Sequence, residues 1–426
     1  MHRRVLPGMS MLVIFMSACI GASTPSSPTA EAASDSRAGS TPSQLAWRAD
    51  LGVPLTAPTV TNGTVYVAGE GRLMALPADC ATPCAPKWTG DIRDGRAVIA
   101  KTTDFTGTAM DQDAPVVAGD EVFVATERPD GFVAFSTSCR DGCQPLWSAV
   151  VQGIASEPVV ADGRVFVGAG SGRVYAFPDK CRSDGKTCPP SWVTSLPGSI
   201  RKPGGGTPLA LDHGVLFLIS SDRSYAVDAQ SGRLDWVGGP GPGGASSEGN
   251  GPAPAIDNGM VYDALWGVHP NVPHLFAFPK GCRHDGGICD PSWSAGTKDD
   301  FLSPPSLAGG MLYAGTETTP GSGDGTLYAH SPSCGASRCK PIWSTRVPSE
   351  LVIGWFDVAG GVVYAVSREQ GNAYAYPASC QTGCAPLWRT DVLSSSKLDI
   401  PATTSTGPYE PVFVGSQAGA LLAFRV

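Results

Sequence analysis

The chain has 426 residues, of which 42% are hydrophobic, and its formal net charge is −8. This hydrophobic content supports a sizeable core and excludes a disordered chain, while 53 glycines and 38 prolines indicate many turns. The acidic balance, with no run rich in lysine or arginine, argues against nucleic acid as a partner.

The chain begins with a predicted export signal. Arg3 and Arg4 precede an apolar run that is too short to span a bilayer. The run ends in Met-Ser-Ala-Cys at residues 16–19, which resembles the bacterial lipobox. This resemblance implies a lipoprotein signal peptide at residues 1–18 and lipidation of Cys19, whose two acyl chains would give stable membrane attachment. The alternative is an ordinary secreted protein with an incidental cysteine.

The next segment has the composition of a flexible tether. Residues 20–43 are small, polar and punctuated by proline, so the predicted tether comprises residues 19–43, including the lipidated Cys19. A coil of this length reaches roughly 25–30 Å on average. We therefore expect residues 44–426 to form a domain outside the cytoplasm, anchored by lipid to the bacterial cell envelope.

This domain is predicted to be all-β. No stretch of ten or more residues has the 3.6-residue apolar period of an amphipathic helix. Short apolar runs recur instead, bounded by Gly, Asn and Asp, and examples are "TVYVAG", "RVFVGAG", "GVLFLIS" and "GVVYAV". Such runs are typical of strands separated by tight turns.

The cysteines of the domain form local pairs. With Cys19 set aside, 12 cysteines remain. The six pairs are Cys80/Cys84, Cys139/Cys143, Cys181/Cys188, Cys282/Cys289, Cys334/Cys339 and Cys380/Cys384. Even, local pairing in an exported chain favours disulfides. The variable spacing and the lack of a recurring histidine argue against zinc, and Cys-x-x-Cys-His for haem is absent, so no metal is expected.

A longer repeat surrounds each cysteine pair and ends in tryptophan. One copy lacks cysteines, and its "VDAQSGRLDW" places a tight Asp-to-Gly turn at residues 228–232. We therefore predict that each cysteine pair bridges the corresponding hairpin turn. This copy resembles the "Tyr-Ala-x-Asp-Ala-x-x-Gly-x-x-x-Trp" repeat of quinoprotein-type propellers. In that family each repeat forms a four-stranded blade and the tryptophan lies on its outer strand.

The repeat count indicates a closed ring. The tail after residue 400 supplies three strands, and "QLAWRADL" near the N-terminus supplies the missing outer strand. We predict a single eight-bladed β-propeller of four-stranded antiparallel blades, closed by an N-terminal strand that joins the C-terminal blade. The blade tryptophans are Trp47, Trp88, Trp147, Trp192, Trp236, Trp293, Trp343 and Trp388. Residues 44–426 thus resemble the quinoprotein-like lipoproteins that include the propeller component of the outer-membrane β-barrel assembly machine.

The same repeat occurs in enzymes that use pyrroloquinoline quinone. Those relatives show adjacent cysteines against the cofactor and a calcium site built from Glu, Asn and Asp. This sequence has no adjacent cysteines and no nucleophile elbow, HExxH helix, phosphate loop or EF-hand loop. No cofactor is therefore expected. The alternative is an oxidoreductase or hydrolase, using quinone and calcium or another site assembled from several blades, so enzymatic activity stays open.

Propeller topology predicts where a binding site lies. The connections between blades and the loops between second and third strands share one face, here called the upper face. The cysteine pairs belong to the opposite, lower face. Four long insertions fall on the upper face, at residues 89–112, 238–252, 264–274 and 315–326. Long loops on a rigid scaffold are the usual place for a binding site.

Seven residues are candidates for this upper-face site, although each also has an ordinary structural explanation. The tryptophans either anchor a partner or pack the loops, and the polar residues either line the central channel or are solvated. The candidates are Asp111, Asp113, Glu248, Asn250, Trp266, His269 and Trp355. We expect a monomeric, non-catalytic binding or scaffolding module for an envelope protein or an extracellular ligand.

Overall fold

The computed structural model describes most of the predicted domain. The described residues are 44–81, 83–92, 96–97, 114–181, 187–198, 206–220, 223–239, 253–264, 275–296, 301–302, 304–317, 325–347, 353–367, 372–380, 384–390, 398–403, 412–416 and 418–425. The predicted signal peptide, Cys19 and the tether lie outside them. Among these residues no helix is both long and apolar enough to cross a membrane.

The first four blades each contain four antiparallel strands, numbered from the channel outward. Blade 1 is β2 (Thr59–Thr61), β3 (Thr64–Gly69), β4 (Arg72–Pro77) and β5 (Trp88–Asp91). Blade 2 is β7 (Val116–Ala118), β8 (Glu121–Glu127), β9 (Gly131–Ser136) and β10 (Trp147–Val150). Blade 3 is β11 (Val159–Ala161), β12 (Arg164–Ala169), β13 (Arg173–Pro178) and β15 (Trp192–Ser195). Blade 4 is β16 (Leu209–Asp212), β17 (Val215–Ser220), β18 (Arg223–Asp228) and β19 (Leu234–Gly238).

The other four blades repeat this order. Blade 5 is β20 (Ala255–Asp257), β21 (Met260–Ala264), β22 (Leu275–Pro279) and β24 (Trp293–Ala295). Blade 6 is β26 (Ser306–Ala308), β27 (Met311–Glu317), β28 (Gly325–His330) and β29 (Trp343–Val347). Blade 7 is β30 (Ile353–Ala359), β31 (Val362–Ser367), β32 (Ala373–Pro377) and β33 (Trp388–Arg389). Blade 8 is β34 (Leu398–Thr403), β35 (Val412–Ser416), β36 (Ala420–Arg425) and β1 (Gln44–Asp50).

Four further strands are short. β6 (Arg96–Ala97) pairs with β8, and β25 (Phe301–Leu302) pairs with β27, so each extends a blade at its inner side. β14 (Thr187–Cys188) and β23 (Gly287–Cys289) lie parallel to the outer strands β10 and β19.

Blade 8 closes the ring with strands from opposite ends of the chain. β1 pairs antiparallel with β36, and the register places Trp47 opposite Ala423. The predicted eight-bladed, all-β propeller and its closure are therefore confirmed. Pairing of the two end strands removes the exposed sheet edges that an open array would leave.

The first two strands of each of blades 1–7 are joined by a two-residue turn. Four of these turns have a residue with φ between 47° and 49° followed by a glycine with positive φ: Asn62-Gly63, Asp162-Gly163, His213-Gly214 and Asn258-Gly259. Positive φ at both central residues is the type I′ geometry whose twist matches that of a β-hairpin. These turns hold the lower face close to the strand ends.

The core consists of eight apolar clusters, one at each seam between neighbouring blades. The cluster between blades 1 and 2, for example, joins Ala75 and Trp88 to Val122 and Phe135. Residues of one strand alternate between the two seams that flank a blade, because successive side chains point to opposite faces of a sheet. Each of the eight repeat tryptophans lies in an outer strand, and Trp236 is fully buried.

Disulfide bonds join the six local cysteine pairs, and the prediction of disulfides is confirmed. The two Cα atoms of each pair lie 5.5–6.1 Å apart, within the usual range for a disulfide. Each pair belongs to the connection between the third and fourth strands of its blade, here called a disulfide loop. The bonds join Cys80 with Cys84, Cys139 with Cys143, Cys181 with Cys188, Cys282 with Cys289, Cys334 with Cys339, and Cys380 with Cys384.

Each bridge lies in the hairpin connection between the third and fourth strands, as predicted, but that connection is longer than the tight turn expected, and Cys84 in blade 1 shows the difference. The sequence placed Cys80 and Cys84 at the two ends of a turn like that of residues 228–232. Residues 78–87 instead form a longer connection between β4 and β5, and Cys84 is a half-buried residue inside it. Both cysteines pack against the apolar cluster that contains Trp47 of blade 8. The connection is longer because it extends sideways onto the preceding blade.

Contacts across the other seams show the same sideways extension. In the loop of blade 2, the Cys143 carbonyl accepts a hydrogen bond from the Asp91 amide (2.9 Å), and the Gly142 amide donates to the Thr89 carbonyl (2.8 Å). The loops of blades 3 and 5 form β14 and β23 on the preceding outer strands. The disulfide loops therefore cover strand edges as well as closing hairpins.

Candidate functional site

The two faces of the propeller differ in the length of their connections. On the lower face, the turns between first and second strands have two residues in blades 1–7. On the upper face, residues 92–115 and 239–254 connect the outer strand of one blade to the inner strand of the next. Residues 265–274 likewise connect β21 to β22. The lower-face connections between third and fourth strands are also long, as at residues 78–87, but the two longest connections, residues 92–115 and 239–254, are both on the upper face.

The predicted insertions are shorter than expected. Residues 89–91 belong to β5, and residues 96–97 form β6. Residues 315–317 and 325–326 continue β27 and β28. These residues were assigned to loops because their polar and glycine-rich sequence does not distinguish a strand end from a turn.

Six of the seven candidate residues lie outside the described residues. They are Asp111, Asp113, Glu248, Asn250, Trp266 and His269. Trp355 lies in β30, the innermost strand of blade 7, where its backbone pairs with Val366. It is therefore part of a strand rather than a connecting loop, although it lies toward the upper-face end of that strand. Its role remains a prediction.

A buried polar pair lies at the seam between blades 4 and 5. Asp263 is fully buried near the upper-face end of β21, and neither oxygen of its carboxyl group has a hydrogen-bond partner. Burial raises the pKa of Asp263 to about 7, and the nearby Ser224 hydroxyl opposes this rise only in part. Ser224, at the start of β18, is also buried and its hydroxyl has no formed hydrogen bond. An unpaired buried carboxyl group is costly to ionise.

The sequence contained a signal for this pair that the motif search missed. Asp263 occurs in "VYDA" at the position that holds valine in "VYVA" of blade 1 and "VFVG" of blade 3. Ser224 likewise replaces the apolar residue that follows the glycine or arginine at the start of the third strand. Stability alone favours apolar residues at these two facing core positions. Two polar residues there therefore indicate a role other than stabilising the fold.

A second carboxyl group without compensation lies at the upper end of an inner strand. Glu157 precedes β11, and its side chain is only partly accessible to solvent. Burial raises the pKa of Glu157 to about 8, and no hydrogen bond or neighbouring charge offsets that effect. The inner strands of a propeller line its central channel. Glu157 lies just before the innermost strand of blade 3, at its upper-face end.

Buried acids at the lower face have partners. One Asp235 carboxylate oxygen forms an ion pair with the Arg233 guanidinium (2.8 Å) without hydrogen-bond geometry, and the other lies 3.4 Å from the His284 ring nitrogen. The Glu121 carboxylate accepts a hydrogen bond from the Trp147 indole (3.0 Å). Burial still raises the pKa of Glu121, with the Trp147 hydrogen bond acting in the opposite direction.

One histidine is buried in a blade. His330 replaces the aromatic residue found at this position in several copies, and its side chain is 1% exposed. Burial lowers the pKa of His330 to about 4, so the ring is neutral at physiological pH. Its ring lies 6.3 Å from that of Tyr328. In the part of the chain that the structure describes, no three His, Cys, Asp or Glu side chains converge as metal ligands.

Solved structures with the same fold are distant in sequence. The designed protein Ika8 has a TM-score of 0.62 at 10% identity, over 89% of this chain and 99% of its own. BamB from Moraxella catarrhalis has a TM-score of 0.58 at 12% identity, over 90% and 100%. Sqt1 from Saccharomyces cerevisiae has a TM-score of 0.59 at 11% identity, over 91% and 98%. At these identities the similarity shows the fold alone.

No curated protein matches the sequence. A family model does: the one described as outer membrane protein assembly factor BamB matches residues 40–236 and 140–267. Together these two matches span more than half of the chain. The repeats matched are those that build blades 1–4 and the first two strands of blade 5. The chain therefore belongs to the family of the outer membrane protein assembly factor BamB.

Proposed function

We propose that this protein is a lipid-anchored envelope protein whose propeller binds a protein or an extracellular ligand through its upper face without catalysing a reaction. Membership in the BamB family supports a role in protein interaction. The observation that carries the proposal is the contrast between the faces. The lower face is closed by two-residue turns and disulfide loops, whereas the upper face carries the two longest connections.

The buried acids add chemical support. Asp263 and Glu157 have raised pKa values and lie at upper-face ends of their strands or connections. Groups that cost stability are retained more readily where they serve binding than where they serve only folding. Of the two, only Glu157 is accessible to solvent, and it favours a ligand or partner segment that brings a hydrogen-bond donor to the upper face.

The export of the protein is supported by its disulfides, since such bonds persist mainly outside the cytoplasm. An outer strand runs from the lower to the upper face, and β1 therefore begins at the lower face with Gln44.

Photo-crosslinking from matched positions on the two faces tests the proposal. Benzoylphenylalanine replaces Trp266, in the upper-face connection of blade 5, or Asn258, in the lower-face turn of the same blade. A second matched pair in blade 1 is Glu70, in the upper-face turn, and Asn62, in the lower-face turn; both are exposed. The full-length chain is expressed in an envelope-bearing bacterial host and irradiated in cells.

We expect a discrete adduct from an upper-face position and none from its lower-face counterpart. Adducts of equal yield from both faces would contradict the assignment of the site. Purified protein is also titrated with pyrroloquinoline quinone and calcium. Stoichiometric binding with dye reduction on alcohols or sugars would contradict the non-catalytic role.

A further inference from the structure

Exposed apolar side chains of this propeller are concentrated at its outer rim, the circumference formed by the outer strands. The tryptophan of an outer strand packs into a seam between blades. The residue directly before it points away from that seam, because successive side chains of a strand point to opposite faces. The exposed large hydrophobic residues of the described chain all lie in or beside an outer strand: Leu45, Leu146, Val150, Val193, Ile288, Ile342 and Leu387.

Three consecutive blades present such a residue at the same place. Ile342 and Leu387 directly precede the tryptophans of blades 6 and 7, and Leu45 takes this place in blade 8, where the strand register shifts just before Trp47. The side chains of Ile342, Leu387 and Leu45 are 55%, 45% and 43% exposed. Blades 1, 3, 4 and 5 have polar residues there: Lys87, Ser191, Asp235 and Ser292. Blades 6–8 therefore form one continuous apolar arc of the rim.

The same three blades carry an excess of basic residues at the rim. Between the end of the third strand and the end of the outer strand, the sequences of blades 6 and 7 contain no acidic residue. In β1, Asp50 is the only acidic residue, and its carboxylate pairs with the Arg48 guanidinium (2.6 Å). In blades 1–5, every corresponding segment contains an acidic residue as well as its basic ones. The basic residues of the outer segments of blades 6–8 are Arg48, Arg338, Lys340, Arg346 and Arg389.

Two of these cations are held outward by the disulfide loop of blade 6. Arg338 and Lys340 are exposed, whereas Cys339 between them is buried. The Cys339 amide donates to the Ser294 carbonyl (2.9 Å), which fixes the loop on the outer strand of blade 5. Within the described part of the chain, neither Arg338 nor Lys340 forms an ion pair. A fixed pair of cations therefore lies beside the exposed side chain of Ile342, two residues after Lys340.

We propose that the rim of blades 6–8 binds the surface of a membrane that contains anionic lipid. Aliphatic side chains flanked by cations suit such a surface, because the aliphatic groups enter the boundary between headgroups and acyl chains while the cations attract lipid phosphates. The circumference of a ring is convex, so it meets a broad surface and does not enclose a small ligand. The binding surface, here called the rim arc, consists of Leu45, Arg48, Arg338, Lys340, Ile342 and Leu387.

The charge of the rim arc is opposite to that of the whole chain. The chain has a formal net charge of −8, and a uniformly acidic surface would be repelled by anionic lipid. Attraction is therefore expected only where cations are clustered, which gives the protein one preferred side toward the membrane. Binding of this kind requires neither a lipid on Cys19 nor a partner at the upper face.

Vesicle binding by the full-length chain tests the proposal. The substitution Cys19→Ala is present in the parent protein and in every variant, so that the predicted lipid does not contribute. Co-sedimentation measures partition onto vesicles of phosphatidylcholine alone and onto vesicles in which about a third of the lipid is anionic phosphatidylglycerol. We expect the partition coefficient of the parent to be at least about tenfold higher on the anionic vesicles and to fall as salt is added.

Two double variants separate the cations from the aliphatic side chains. Arg338→Gln with Lys340→Gln should lower partition onto anionic vesicles about tenfold and leave partition onto neutral vesicles unchanged. Ile342→Ser with Leu387→Ser should lower partition onto both kinds of vesicle, by about tenfold on the anionic ones. All four side chains are exposed, so the fold is retained.

Matched controls make the same changes elsewhere on the rim. The charge control changes exposed cations of blades 3 and 5, and the apolar control changes exposed residues of the same two blades. Each control should alter partition by less than about twofold, because the changed side chains lie far from the bound surface. The controls are Lys180→Gln with Arg283→Gln, and Val193→Ser with Ile288→Ser.

Hydrogen exchange on the anionic vesicles supplies a readout that does not depend on residues 1–43. We expect vesicles to protect the amides of residues 338–342 and to leave those of residues 284–288 unchanged. Absence of that local protection would overturn the proposal, as would a parent protein that binds the two kinds of vesicle equally or binds neither. A loss in the control variants as large as in the rim-arc variants would show that overall charge or hydrophobicity governs binding, which also contradicts the assignment.

Discussion

Buried acids at the two faces of the propeller have opposite surroundings. At the lower face, Asp235 is paired with Arg233, and Glu121 accepts a hydrogen bond from Trp147. Toward the upper face, Asp263 has no hydrogen-bond partner and Glu157 has nothing that offsets its burial. The comparison teaches that these lower-face acids have a cation or a hydrogen-bond donor beside them, whereas the two upper-face acids have neither.

The largest expected effect comes from Asp263→Asn. The folded pKa is about 7, above the ordinary value of 3.8, so the carboxyl group favours the folded state less and less as the pH rises between these values. The asparagine side chain does not ionise, so the variant does not lose this stability as the pH rises. The buried amide has its own desolvation cost at both pH values, so the prediction concerns the difference: the substitution should change the free energy of unfolding more favourably at pH 8 than at pH 5 by about 2–3 kcal/mol.

Urea denaturation at the two pH values measures this change. Asp235→Asn is the matched control at the lower face, and we expect it to lower stability because Arg233 loses its buried partner. An equal gain at pH 5 and pH 8 for Asp263→Asn would show that the carboxyl group is not protonated in the folded protein, and would remove the contrast between the faces.

A smaller effect is expected from a single disulfide loop. Replacing both Cys139 and Cys143 by serine removes a bridge that closes a short loop, and the free energy of unfolding should fall by about 2 kcal/mol. Denaturation with and without reductant measures this change. If the variant unfolds at the same denaturant concentration as the oxidised parent protein, the lower-face bridges do not contribute to stability.

The smallest expected effect distinguishes the Trp236 indole, which has a hydrogen-bond acceptor, from the Trp388 indole, which has none. Trp236→Phe loses the hydrogen bond to the Lys280 carbonyl, whereas Trp388→Phe loses none. Both side chains are buried, so the loss of apolar contact is similar. We expect Trp236→Phe to be more destabilising by about 1 kcal/mol in chemical denaturation. Equal losses would indicate that the Trp388 indole has an acceptor in solution.

The blades could be predicted because the sequence repeats them. Each copy contains alternating apolar strands, a two-residue turn and a terminal tryptophan. Where the strand assignment of one copy is ambiguous, comparison with the other copies corrects it. Ring closure followed from counting, since "QLAW" at the start supplies the outer strand that the tail lacks. Trp355 was not recognised as a strand residue because blade 7 has a longer inner strand than the repeat suggests.

The sideways extension of the disulfide loops could not be read from the sequence. The cysteine-free copy has a short turn at residues 228–232, and it suggested that the others were short as well. Cys84 was placed at the end of such a turn, whereas it lies inside a longer connection. The longer loops gain contacts with a neighbouring blade, which no pattern within one repeat reveals. The unusual buried position of Asp263 could be predicted only by comparing the repeat copies at this core position. A single acidic residue in an apolar strand forms no motif.

The pairing of β1 with β36 has a consequence for folding kinetics. The strand that completes blade 8 emerges first from the ribosome, and its partner emerges last, so this contact spans nearly the whole described chain. Contacts of such high sequence separation form slowly, because the entropy of closing a long loop opposes them. Seven blades can assemble earlier from local hairpins. We therefore expect the end blades to close late in folding, and exposed strand edges of this kind favour aggregation until they are paired.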